Sequence, residues 1–111
     1  MTYDKDLARR IRALMSDTGG VTEKKMFGGL AFLVNGNMAV AASSHGGLLV
    51  RVDPAQADEF LSLPGVQLME MRGRTMPGWL RVSAEAVTTD PKLSTWVDRS
   101  VTYVLALPSK A

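Results

Sequence analysis

The apolar residues of this chain fall into segments of helical and strand-like spacing that glycine and proline separate. The first segment predicts a helix from about Asp4 to Asp17. Gly19-Gly20 ends it, because glycine readily adopts the left-handed conformation of a helix end. The apolar positions of this segment predict one buried stripe: Leu7, Ile11, Leu14 and Met15.

A meander of strands follows the first helix. Lys24 to Val34 is predicted to be one long strand with a bulge or bend at Gly28-Gly29. Asn35-Gly36 then supplies the two positive-φ positions of a type I′ turn. The next two strands are predicted from Met38 to Ser43 and from Leu48 to Val52.

The second half of the chain predicts two helices that flank a strand pair. Asp53-Pro54 is typical of a helix start, since aspartate can cap and proline suits the first helical position. Val66 to Met71 and Gly78 to Ser83 are predicted strands around a loop from Arg72 to Pro77. Asp90-Pro91 repeats the capping pattern at the start of the last helix.

This order, α-β-β-β-α-β-β-α, predicts an α+β fold. Short connections between strands favour antiparallel neighbours, so we expect two layers: a mainly antiparallel sheet covered by helices on one face. A length of 111 residues fits a single domain over residues 1–111. The hydrophobic fraction of 46% and charged fraction of 22% are typical of globular chains and argue against disorder.

Composition narrows the classes of function. The chain has no cysteine, which excludes disulfides and thiolate metal sites and suits a reducing cytoplasm. Acidic Asp4 and Asp6 stand where a signal peptide would be basic, and no apolar stretch is long enough to span a membrane. The net charge is +2, from 13 basic and 11 acidic residues, so the chain carries only a small positive excess. We therefore expect a cytoplasmic protein without a membrane partner.

The residue types that carry catalysis are few. His45 lies beside Ser43 and Ser44, but the pattern is that of a solvated turn, and no neighbouring acid would orient the histidine. Gly73 to Gly78 has the glycine spacing of a phosphate loop, yet Trp79-Leu80 follows where lysine and serine or threonine are needed. One histidine and scattered carboxylates form no metal motif. We expect no enzyme, no metal and no cofactor.

A group of basic residues around one tryptophan is the candidate surface for a partner or for nucleic acid. Arginine beside an exposed aromatic ring can stack on a base or bind a phosphate. Trp79 alternates with Leu80, however, so both a core and an exposed position stay open for it. Glu23, Glu70 and Glu85 reduce any local positive field. The candidate residues are Lys24, Lys25, Arg72, Arg74, Trp79 and Arg81.

Seven methionines lie mostly on or beside the predicted strands. Methionine usually fills gaps in a core, although a flexible methionine face also suits protein recognition. We assign Met26 and Met38 to the core. Met69 and Met71 stay undecided between core and surface, and one of them is a candidate for an exposed interface.

Two stretches of the chain resemble the TfoX N-terminal domain family. The first runs from Val21 to Met38, with its Met26-Phe27-Gly28-Gly29 box followed by Asn35-Gly36, and the second runs from Gly73 to Trp79. The resemblance implies a two-layer α/β fold of the same element order and no catalytic residues. It also points to the Sxy/TfoX regulators of natural competence, which act with a cyclic-AMP receptor protein in transcription and carry a second, C-terminal domain.

Three functions are therefore considered. The leading hypothesis is a non-enzymatic regulatory or adaptor domain that binds another protein or forms a homodimer. The second is direct nucleic-acid binding through the basic residues, with an affinity that falls steeply with salt. The third is a small-molecule sensor or an enzyme with a pocket between helices and sheet.

Overall fold

The computed structural model describes residues 4–26, 29–43, 46–71 and 73–108. Within these ranges three α-helices and six strands alternate with two short 3-10 turns, Pro54–Gln56 and Ala84–Val87. The elements in chain order are α1 (Lys5–Leu14), β1 (Val21–Met26), β2 (Gly29–Val34), β3 (Asn37–Ala42), β4 (Leu48–Arg51), α2 (Ala57–Leu61), β5 (Val66–Met71), β6 (Arg74–Val82) and α3 (Asp90–Leu105).

The six strands form one sheet in the order β1-β2-β3-β4-β6-β5. Every neighbouring pair is antiparallel. The buried apolar residues of all three helices join one face of the sheet in a single core, which includes Ile11, Phe32, Leu80 and Leu93. The predicted α+β class and two-layer arrangement are confirmed.

The predicted strand from Lys24 to Val34 is in fact two strands, β1 and β2. Lys24 pairs with Ala31 and Met26 with Gly29, so the chain reverses between them. The prediction of a single strand is therefore wrong, and the expected bulge at Gly28-Gly29 falls partly on Gly28, which lies outside the described residues with Phe27. Side chains alternate in the same way along one long strand and along two strands that pair with each other, which is why the pattern alone suggested one strand.

The predicted loop from Arg72 to Pro77 is mostly strand, because β6 already begins at Arg74. Met71 pairs with Arg74 and Glu70 with Thr75, after which the register shifts. Pro77 lies in this irregular part of the pair, where a residue without a backbone N–H is tolerated.

Side-chain caps fix the helix starts close to the predicted places. Asp4 accepts hydrogen bonds from the backbone N–H groups of Asp6 and Leu7, at 2.9 and 3.1 Å. At α3 the capping residue is Thr89, one position before the predicted Asp90-Pro91 start. Asp90 instead accepts a hydrogen bond from Nε of Arg10 at 3.1 Å, which joins α1 to α3.

Two other local predictions concern turns and burial. Asn35 and Gly36 have φ of 53° and 84°, which confirms the two positive-φ positions of the hairpin turn. Leu14 does not belong to the buried stripe of α1, since it is 38% exposed, whereas Leu7, Ile11 and Met15 are buried.

A polar contact joins the start of β3 to Pro108, which follows α3. Asn37 opens β3 and is only 4% exposed. Its Nδ2 donates a hydrogen bond to the carbonyl oxygen of Pro108, 2.9 Å away. This bond satisfies a buried amide that would otherwise cost free energy.

Among the described residues, none of the helices combines the length and the apolar character needed to cross a membrane.

Candidate functional site

A row of directly paired residues crosses the face of the sheet that lies away from the helical core. Residues directly opposite each other in an antiparallel pair share a face, so the pairing alone places this row on one side. We call this side the second face. Its central row runs from β1 to β5 through Lys24, Ala31, Ala41, Leu49, Arg81 and Gln67.

The second face has its own apolar cluster. Its buried members all come from strands: Ala31, Met38, Ala41, Leu49 and Met69. Leu33 and Trp79 pack against this cluster and are only partly buried. Because the buried apolar residues of the described helices all belong to the other cluster, the second face forms an apolar floor without helical cover.

A cleft of about 220 Å³ lies on the second face. Ala41, Leu49 and Met69 contribute apolar surface to it. Its polar groups are Ser43, Gln67, Arg81 and Ser83, and glycines 29, 46 and 65 complete much of the lining. The cleft thus combines an apolar floor with hydroxyl, amide and guanidinium groups.

Close backbone approaches hold the cleft in shape. A Cβ added to Gly29 would lie 2.0 Å from the carbonyl oxygen of Ala42 on the neighbouring strand. A Cβ on Gly47 would lie 2.4 Å from the carbonyl oxygen of Val82, and Gly47 also has a φ of +77°. Only glycine allows the backbone to come this close, so a side chain at either position would push the neighbouring backbone away.

Arg81 supplies the charge of the cleft. Its side chain is half-buried, and within the described part of the chain it forms no hydrogen bond or ion pair. Gln67 stands directly across from it on β5. Glu70 and Arg81 both line a neighbouring hollow, but they form no ion pair there. A guanidinium beside an apolar floor is suited to an anionic group with an apolar neighbour.

Trp79 belongs partly to the cluster and partly to the surface, which answers the question that its sequence position left open. The guanidinium carbon of Arg51 lies 5.1 Å from the centre of the Trp79 ring and 5.8 Å from that of Tyr103. Arg51 therefore covers part of Trp79 by a cation–π contact. Less of this ring is available for stacking on a nucleic-acid base than the sequence suggested.

The predicted basic residues do not form one patch. Lys24 and Lys25 are exposed on β1, whereas Arg74 and Arg81 lie on β6. Three strands separate β1 from β6, so Lys24 and Arg81 are about 19 Å apart along the sheet at the usual strand spacing. Lys25 points to the opposite face from Lys24, by alternation, and Arg72 lies outside the described residues.

The structure describes only some of the residues that the sequence analysis considered for catalysis or metal binding. Ser43 lines the cleft, while Ser44 and His45 lie outside the described residues. In the part of the chain that is described, no three histidine, aspartate or glutamate side chains come together in a group able to hold a metal ion. The expectations of no enzyme, no metal and no cofactor stay predictions.

The sequence analysis named Arg81, which lines the cleft, and Trp79, which lies on the same face outside the cleft lining, but it did not bring Arg81 together with its neighbours. It missed Leu49, Gln67 and Ser83, and its small-molecule hypothesis placed a pocket between helices and sheet instead of on the second face. A usable signal was present, because β2 and β3 are apolar at almost every position. Continuous apolar strands indicate that both faces of a sheet are buried.

The methionine predictions are resolved for two residues. Met38 is buried, as expected, although its cluster is the one on the second face. Met69 is also buried and lines the cleft. The side chains of Met26 and Met71 lie outside what the structure describes.

Comparison with known families gives one match. The model of the TfoX N-terminal domain matches residues 13–103. This range contains all six strands, α2 and nearly all of α3. No curated protein matches the sequence.

Proposed function

This chain belongs to the TfoX N-terminal domain family, and from that premise we propose that it is a non-enzymatic regulatory or adaptor domain. It acts by binding another protein through the second face of its sheet. The resemblance to transcription regulators favours a role in the control of transcription, exerted through a protein contact and not through a reaction.

The observation that carries this proposal is the apolar cluster of the second face, with Arg81 at its side and without an ion-pair partner among the described residues. Protein interfaces combine a buried apolar centre with a polar rim, and arginine and aromatic residues are enriched in them. Leu33 and Trp79 are half-buried at the margin of the cluster. The cluster members themselves are 0–5% exposed, so Leu33 and Trp79 supply the accessible apolar surface for a partner that docks on this face.

The chemistry of the described lining of the cleft also favours binding over catalysis. Its lining offers apolar groups, serine hydroxyls, an amide and a guanidinium. Such groups hold and orient a ligand. General acid–base catalysis instead relies on a group whose pKa lies near the operating pH, typically histidine or a perturbed carboxyl group.

The nucleic-acid alternative has less support. Its described candidate residues are divided between β1 and β6 and between the two faces of the sheet. In addition, the guanidinium of Arg51 covers part of the Trp79 ring. A dedicated nucleic-acid binder would present its basic residues along one continuous surface.

The test is affinity capture from cells with the wild-type protein and two variants, read out by quantitative mass spectrometry. Leu33→Glu places a charge at the margin of the second face, and Leu14→Glu makes the same change on the exposed side of α1. We expect a protein that co-purifies with the wild type and with Leu14→Glu but is lost with Leu33→Glu. Thermal unfolding of each variant shows that the fold is retained.

Size-exclusion chromatography at several concentrations covers the case in which the partner is a second copy. A dimer that Leu33→Glu dissociates supports the same surface. A monomer that captures no protein, or a partner that Leu33→Glu retains, contradicts the proposal.

A further inference from the structure

We infer that the cleft on the second face binds the C-terminal residue of a partner protein. The terminal carboxylate lies against Arg81, and the side chain of the same residue lies on the floor formed by Ala41, Leu49 and Met69. The inference rests on the proposed function, because a protein partner has to supply the terminus.

The size of the cleft sets the size of the ligand. Its volume of about 220 Å³ is smaller than the roughly 300–1,000 Å³ of pockets that enclose drug-sized molecules. A site this small accommodates one amino-acid residue rather than a folded element of a partner. The partner therefore inserts a single residue, and the rest of its chain remains outside.

The polar groups select a carboxylate. Arg81 has no ion-pair partner within the described ranges, so its guanidinium is available for two parallel hydrogen bonds to a carboxylate. Gln67 stands directly across the strand pair, where opposed side chains begin about 5 Å apart. Its amide adds a further N–H donor next to the guanidinium.

The apolar floor beside Arg81 lets the cleft distinguish the C-terminal residue of a chain from an internal acidic residue. In a C-terminal residue the carboxylate and the side chain branch from the same carbon atom, so one can meet Arg81 while the other covers Leu49 and Met69. The carboxylate of an internal aspartate or glutamate ends its own side chain and has no apolar branch beside it. The cleft fits the first arrangement.

The position of the cleft favours a chain over a free metabolite. Gln67 and Met69 line the cleft and belong to β5, which is the last strand of the sheet. The outer edge of a terminal strand can pair with an extended peptide. The residues that precede the bound terminus can therefore continue along β5, and Gly46, Gly65 and Ser83 of the described lining are exposed to solvent.

The test uses acetylated tetrapeptides that end in alanine, valine, leucine or phenylalanine, each prepared as the free acid and as the C-terminal amide. Isothermal titration measures their affinity for the wild type, for Arg81→Gln and for the control Arg74→Gln. Arg74 is an exposed arginine on the same strand and does not line the cleft.

We expect at least one free acid to bind about tenfold or more tightly than its amide, since a hydrogen bond to a charged group is worth that much. Arg81→Gln should remove the difference, and Arg74→Gln should keep it. Equal affinities of acid and amide, no binding of any free acid at millimolar concentration, or an unchanged preference in Arg81→Gln would each overturn the inference. An N-acetylated amino acid that binds as tightly as the peptide would also overturn it, in favour of a small carboxylate ligand.

These outcomes are distinct from those of the proposed function. If Leu33→Glu abolishes capture of a protein while acids and amides bind alike, the inference about the terminus is wrong and the binding surface remains. If acid-selective peptides bind and the captured protein is retained by Leu33→Glu, the assignment of the surface around Leu33 is wrong and the cleft remains.

Discussion

Arg12 and Glu23 form a bidentate ion pair that joins the last turn of α1 to the edge strand β1. Nε of Arg12 donates to Oε2 of Glu23 at 2.6 Å, and Nη2 donates to Oε1 at 2.7 Å. The hydrogen bonds from Arg12 lower the pKa of Glu23 below its ordinary value of 4.5, and the positive charge of Arg12 adds to the effect while partial burial opposes it.

We expect Glu23→Gln to lower the free energy of unfolding at pH 7 by less than about 1 kcal/mol, because the pair is accessible to solvent. The pKa of Glu23 is lower in the folded than in the unfolded protein. Its contribution is therefore fully present above the unfolded value and disappears as the pH falls through the folded value.

Urea unfolding of the wild type and Glu23→Gln at pH 7 and at pH 3 measures this dependence. The difference between the two proteins should shrink at the lower pH. Glu59→Gln, at an exposed glutamate of α2, serves as the control. A Glu23→Gln difference that is the same at both pH values would contradict the assignment.

Gly29→Ala should destabilise the protein by roughly 1–3 kcal/mol, the usual cost of forcing extra volume into a packed region. The added Cβ would meet the carbonyl oxygen of Ala42 at 2.0 Å, and backbone cannot easily move away inside a sheet. Gly19→Ala is the matched control, because no atom lies within 4 Å of its added Cβ.

Thermal unfolding of the two glycine variants gives the comparison. The midpoint for Gly29→Ala should fall well below that of Gly19→Ala. Similar midpoints would mean that β2 and β3 are not held as closely as the structure has them.

Ser100→Ala should raise the free energy of unfolding. Ser100 is fully buried in α3, and its Oγ has no hydrogen-bond partner among the described residues. A buried hydroxyl without a partner costs about 1–3 kcal/mol, and alanine also has a higher helix propensity.

Ser94→Ala on the same helix carries the propensity gain without the buried hydroxyl, since Ser94 is partly exposed. Chemical denaturation should show Ser100→Ala to be the more stabilised of the two, by roughly 1 kcal/mol. A loss of stability in Ser100→Ala alone would show that its hydroxyl has a partner.

The sequence predicted correctly those features that depend on a few adjacent residues, such as helix caps and tight turns. Asp4 caps α1, and Asn35-Gly36 provides two positive φ values, because such roles depend on a few adjacent residues. The hairpin between β1 and β2 was not recognised. Side chains alternate in the same way along two paired strands as along one continuous strand, so the pattern does not show the reversal between Met26 and Gly29.

The cleft could not be predicted from the sequence, because its lining residues become neighbours only through the order and register of the strands. Arg81 was named for its charge, but Leu49 and Gln67 flank it only because β6 lies between β4 and β5. That order reverses the chain order of β5 and β6, and no local pattern specifies it. The alanines of the floor, Ala31 and Ala41, gave no signal either, because alternation does not show which face of the sheet a small residue lies on.

The hydrogen bond from Asn37 to Pro108 also has a consequence for biosynthesis. The two residues are 71 positions apart, so a ribosome adding about 5–20 residues per second delivers Pro108 some 4 to 14 seconds after Asn37. During that interval the rest of the β2–β3 hairpin is synthesised, while the acceptor for the amide of Asn37 has not been made. The sheet can complete its polar contacts only after translation of α3, and the nascent chain depends until then on water to satisfy Asn37.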